Sequence, residues 1–115
     1  MKGYEYVRDI FEEEGMEIKE EKPMIQITHL GAIYIVPKYN SICFSMMSPC
    51  EKKSLSKEEL LEKCNNANLR GFRVKYIYLG DNVYCVYEQE ICPSRAELWE
   101  IMKKLLLGVE EFEKL

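Results

Sequence analysis

The stretch Val74-Lys75-Tyr76-Ile77-Tyr78-Leu79-Gly80-Asp81-Asn82-Val83-Tyr84-Cys85-Val86-Tyr87-Glu88 decides the fold. Two runs rich in β-branched and aromatic residues, Phe72 to Leu79 and Val83 to Glu90, flank a Gly-Asp-Asn turn. That combination is a strong short-range signal for a β-hairpin. A hairpin is antiparallel by construction, so the sheet it seeds is read as antiparallel.

Working upstream, Ser41 to Met47 alternates, with Ile42, Phe44 and Met46 on one face and Ser41, Cys43 and Ser45 on the other. Pro37-Lys38-Tyr39-Asn40 before it is turn chemistry. Met24 to Leu30 and Ala32 to Val36 read as strands on either side of Gly31. Met16 to Glu20 carries a fainter strand pattern, so the sheet has five or six strands. Ser48-Pro49 ends the alternating strand, and a helix follows. Ser56 with Glu59 three residues on has capping-box spacing. Leu60, Leu61, Cys64 and Ala67 mark the buried face of this helix, and Asn65, Asn66 and Asn68 close it near Gly71.

Downstream of the hairpin, Pro93 breaks the chain and Ser94 with Glu97 repeats the capping box. The last helix runs from about Arg95 toward Lys114, with Leu98, Ile101, Met102, Leu105, Val109 and Phe112 on one stripe. At the other end, Tyr4, Val7, Ile10 and Phe11 recur at helical spacing between Tyr4 and Glu14, and Gly15 stops the run. The order is α-β-β-β-β-α-β-β-α. The fold class is α+β, an antiparallel sheet with the helices packed on one face.

The length of 115 residues fits a single domain spanning residues 1–115. The net charge is −4, with basic residues scattered and Lys52-Lys53 no more than a short cluster, which argues against nucleic-acid binding. No apolar run approaches the roughly 20 residues of a membrane span. Met1-Lys2-Gly3-Tyr4-Glu5 has no apolar signal core, so a cytoplasmic location is expected. Cys43, Cys50, Cys64, Cys85 and Cys92 are odd in number and contain no CxxC, so they read as reduced, small hydrophobes rather than a disulfide or metal framework.

Catalytic signals are missing from the sequence. It has neither GxGxxG nor GxxxxGK[ST]. The one histidine, His29, sits in a strand, where a structural role is the ordinary one; a thiol-dependent or small-ligand site would need a cysteine beside it. The acidic runs Glu12-Glu13-Glu14, Glu20-Glu21, Glu58-Glu59 and Glu110-Glu111 read as solvated faces. No catalytic residue, cofactor or metal ligand is assigned. Eight tyrosines and Trp99 fit either strand lining or an interface.

The two halves of the chain echo each other. One constant shift carries Tyr34 onto Tyr76, Ile35 onto Ile77, Asn40 onto Asn82, Cys43 onto Cys85 and Cys50 onto Cys92. If Ile42 and Phe44 face the core, their equivalents Tyr84 and Val86 do so too. Val83, Cys85 and Tyr87 then fall on the outer face, with either Tyr76 and Tyr78 or Ile77 and Leu79. The candidate binding residues are Tyr76, Tyr78, Val83, Cys85 and Tyr87. So apolar an outer face expects a cover: a second copy, a peptide or the N-terminal helix.

The run Asn65-Asn66-Ala67-Asn68-Leu69-Arg70-Gly71-Phe72-Arg73-Val74-Lys75, the Gly80-Asp81-Asn82 turn and the helix Leu98 to Phe112 carry a family likeness. With the element order, they make the chain resemble the YbjN-like group, itself similar to the type III secretion chaperone fold. The resemblance implies a non-enzymatic, dimeric module that binds other polypeptides. The expected function is a cytoplasmic protein-interaction module, chaperone-like or regulatory, acting as a homodimer with a possible peptide or protein client. The alternatives are the ligand-binding or thiol-dependent site near His29, and a subunit or antitoxin-like partner of another protein.

Overall fold

The computed structural model describes residues 3–38, 44–51, 54–70 and 74–115. The expectations placed on Tyr39, Asn40, Ser41, Ile42, Cys43, Lys52, Lys53, Gly71, Phe72 and Arg73 lie outside them. The elements are α1 (Gly3–Glu13), β1 (Glu17–Glu21), β2 (Met24–His29), β3 (Ala32–Pro37), β4 (Phe44–Cys50), α2 (Lys57–Leu69), β5 (Lys75–Leu79), β6 (Asn82–Gln89) and α3 (Arg95–Glu113). This is the expected order. The six strands form one antiparallel sheet, β1-β2-β3-β4-β6-β5.

Local chemistry explains the boundaries. Ser56 and Glu59 close a reciprocal capping box on α2, and Ser94 and Glu97 close another on α3. Each box satisfies two backbone donors that a helix start leaves open. Between β5 and β6, Gly80 and Asp81 both take positive φ, 56° and 66°, as a two-residue type I′ turn requires. One boundary departs from the sequence reading. β4 continues through Pro49 to Cys50 rather than ending at Ser48. Its register with β3 is a single pair, Ile35 with Met47. Past that pair Ser48 Oγ donates to the Ile33 carbonyl at 2.8 Å. Pro49, with no N–H to give, enters where the β3–β4 ladder has ended, which is where a strand tolerates proline.

The helices cover one face of the sheet. Ile25, Ile27, Tyr34, Val36, Phe44, Met46, Cys50, Tyr76, Val83 and Cys85 share that face and pack with Val7 and Phe11 of α1, Leu60 and Cys64 of α2, and Leu98, Leu105 and Phe112 of α3. Leu61, expected on the buried side of α2, is exposed. Trp99 joins α3 to α1 through an edge contact with Phe11, ring centroids 5.7 Å apart.

Tyr76 ties three elements together, α2, β5 and α3. Its main-chain N–H donates to Asn68 Oδ1 at 2.9 Å, and its carbonyl accepts from Asn68 Nδ2 at 3.0 Å. The amide of Asn68 therefore occupies the place of a neighbouring strand along the outer edge of β5, and it joins α2 to the sheet. The Tyr76 ring stacks on Phe112 at 5.1 Å, and its hydroxyl donates to the Gly108 carbonyl at 2.6 Å. Tyr34 makes a similar, longer contact with the Met102 carbonyl, 3.5 Å. In these first strands the internal echo holds, since both tyrosines reach the backbone of α3.

Gly108 makes that seating possible. A Cβ there would lie 2.6 Å from Cys85 Sγ and 2.8 Å from Val74 Cγ2. Glycine inside a helix costs about 1 kcal/mol relative to alanine, so its gain is the close approach of α3 to the sheet. We expect Gly108→Ala to lose about 1–2 kcal/mol of unfolding free energy in urea titration, because overpacking costs more than helix propensity returns. A more stable variant would contradict the close approach.

Candidate interaction surfaces

The structure places Tyr76, Tyr78, Val83, Cys85 and Tyr87 on the helix-covered face, not the outer one. Tyr76, Val83 and Cys85 are buried in the core, and Tyr78 and Tyr87 pack against it. The reason is register. β4 pairs with β6 so that Phe44 faces Gln89, Met46 faces Tyr87 and Ser48 faces Cys85. Phe44 and Met46 do point inward, as their alternation implies. The echo, however, transfers that direction to Val86, which lies on the opposite face beside Met47. Eleven residues separate the paired Ile35 and Met47 of the first hairpin and ten separate the paired Lys75 and Val86 of the second, an odd number against an even one, so the second strands of the two hairpins do not share a phase.

The outer face is nevertheless apolar at its centre, through different residues. One row crosses all six strands: Lys19, Gln26, Ile35, Met47, Val86 and Lys75. The next row on β4, β6 and β5 is Pro49, Tyr84 and Ile77. Ile35 and Val86 are screened by their neighbours, at 8% and 4% exposure, whereas Met47, Tyr84 and Ile77 are half-buried. Charges of both signs, Lys19, Glu21, Lys75 and Glu88, occupy the margins of the same face. An apolar centre with a polar margin is the layout of a protein contact surface.

A second feature lies where β3 and β4 part. A cleft of about 400 Å³ opens between the β2–β3 turn and α3, lined by Leu30, Ile33, Pro49, Leu106, Val109, Glu110 and Glu113 among others. Leu30 stands at its lip, 92% exposed. Leu30 and Gly31 both have positive φ, 51° and 81°. In the equivalent β5–β6 turn the first position is Gly80. Leucine in the left-handed region costs roughly 1–2 kcal/mol, and burial returns nothing to Leu30.

His29 packs edge-on to Trp99, centroids 5.6 Å apart. The thiols of Cys50, Cys64 and Cys85 are buried. Burial pushes the Cys50 and Cys85 thiols up from the usual 9.0 to about 12, and it raises Cys64 as well. Thiolate nucleophiles need the opposite shift. Among the described residues no group of three or more His, Cys, Asp or Glu could hold a metal, and no helix is long and apolar enough to cross a membrane.

No protein-family model, curated protein or solved structure matches the chain.

The thiol environments predict a pH response. Cys50 and Cys85 hold their protons more tightly in the fold than in the unfolded chain. Their contribution to stability is therefore full below pH 9.0 and is lost as pH rises toward 12. In reductant, unfolding free energy should fall over that window by up to about 1.4 kcal/mol per pH unit for each thiol. Burial also raises the Tyr76 phenol, which steepens the loss at the alkaline end. A flat profile by urea titration would contradict the burial of these groups.

Proposed function

We propose that the chain is a non-enzymatic protein-interaction module that works as a homodimer, with the helix-free sheet face as the contact between copies. The observation that carries this reading is the apolar centre Ile35, Met47 and Val86, with Tyr84 and Ile77 beside it, on a sheet whose other face is already filled by helices. A two-fold contact presents the same patch on both partners and so must be self-complementary. An apolar centre and margins carrying both signs meet that requirement. Tyrosine at such a centre combines contact area with a hydrogen-bonding tip.

The raised Cys50, Cys64 and Cys85 thiols favour this reading over a nucleophile at any of those three. A chaperone-like or regulatory use in the cytoplasm is proposed on the YbjN-like resemblance of the sequence alone.

Sedimentation equilibrium decides the point. The parent chain should sediment as a dimer at tens of micromolar, and Ile77→Lys, a half-buried surface position, should sediment as a folded monomer with unchanged circular dichroism. A parent chain that stays monomeric at high micromolar concentration overturns the homodimer, and with it the role given to the sheet face.

A further inference from the structure

The helix-free face carries one side chain whose chemistry its place does not require. Met47 stands at the middle of the apolar row, between Ile35 of β3 and Val86 of β6. Both neighbours are β-branched, as strands favour. Isoleucine at this position would supply similar apolar area; methionine adds a thioether open to oxidation. Position decides which methionine is accessible. Met46, the preceding residue, points into the core at 0% exposure, and Met102 of α3 is 3% exposed. Met47 is half-buried at the surface of the outer face. Met24 shares that face but lies toward its margin, between Glu21 of β1 and Pro37 of β3. Met16 follows α1 and packs against the core.

We infer that Met47 is an oxidative modification site that controls self-association: a hydroperoxide converts it to the sulfoxide, and the sulfoxide breaks the contact between copies. The inference rests on the homodimer reading of the sheet face. The step is an oxygen transfer. The thioether sulfur attacks one oxygen of hydrogen peroxide, the S–O bond forms and the O–O bond breaks. The proton on the transferred oxygen passes to the leaving hydroxide, which departs as water. Sulfur is oxidised by two electrons and the peroxide is reduced by two. The product sets a polar acceptor in the middle of an apolar contact, where nothing on Ile35 or Val86 can donate to it. A two-fold contact brings two such groups together, so the loss enters twice. The contact in turn shields the thioether, so oxidation proceeds through the monomer.

The test treats the full chain with hydrogen peroxide and reads it by peptide mass spectrometry and sedimentation equilibrium. In protein diluted until it is monomeric, Met47 should oxidise well before Met46 and Met102. At concentrations where the chain is dimeric, Met47 should oxidise more slowly, while Met16 keeps one rate. The oxidised chain should keep its circular dichroism, and its dimer dissociation constant should rise by about a hundredfold, about tenfold for each sulfoxide. The two methionine sulfoxide reductases, one for each epimer, should restore the dimer with dithiothreitol as reductant. Met47→Leu conserves volume. It should dimerise like the parent and stay dimeric after the same treatment, with every cysteine still in place. Met24→Leu should dissociate on oxidation as the parent does. A Met47→Leu chain that still dissociates would assign the effect to another residue and overturn the proposal. So would a Met47 that resists peroxide in the monomer. Ile77→Lys, as a monomer, should oxidise Met47 at one rate at every concentration. A parent that never dimerises overturns the homodimer reading and this inference together. A parent that dimerises equally well with Met47 as the sulfoxide overturns this inference alone.

Discussion

Tyr76 is the point on which the layers of this protein depend. Its main chain is bridged by the Asn68 amide of α2, its ring lies on Phe112, and its hydroxyl is bound to the Gly108 carbonyl of α3. Strand β5 is an edge strand, and an open edge invites pairing with another chain. Asn68 occupies that edge at Tyr76 with both of its amide hydrogen-bonding groups. The other edge, β1, is protected by composition, since Glu17, Lys19, Glu20 and Glu21 are charged. With both edges blunted, the sheet has one broad surface left to offer, the face away from the helices.

The seating of α3 sets what that face can be. Gly108 lets α3 settle onto Cys85 and Val74, and the core on that side is complete. Apolar residues of the opposite phase, Ile35, Met47, Val86, Tyr84 and Ile77, cannot reach it, because a strand alternates its side chains between faces. Their presence is the structural root of the homodimer reading. The outer face is apolar, but on β6 it is so through Val86 and Tyr84, the alternate phase from the Val83, Cys85 and Tyr87 that the sequence alone pointed to.

Much of the fold was legible in the residues. Ser56 with Glu59 and Ser94 with Glu97 announce two helix starts, Gly80-Asp81 announces a turn, and the spacing of Val7, Ile10 and Phe11 announces α1. These are local signals whose energy lies within a few residues. The face of β6 was not legible, because it is fixed by pairing with β4 far away in sequence, and a slip of one residue inverts every side chain. The anchoring amide of Asn68 was visible only as part of an asparagine-rich helix end. The cleft arises from the parting of β3 and β4, which no pattern announces. Leu30 reads in the sequence as the last residue of a strand before Gly31, whereas in the fold β2 ends at His29 and Leu30 takes the first position of a two-residue turn with positive φ.

The claim that the helix-free face is a contact surface is tested most directly by isoleucine-methyl NMR with a soluble gadolinium chelate, recorded on dilute and concentrated protein. The account predicts that the Ile77 methyls broaden in dilute solution and become protected on concentration, while Ile25 and Ile27 in the core stay protected throughout. Equal broadening of Ile77 at both concentrations would contradict it.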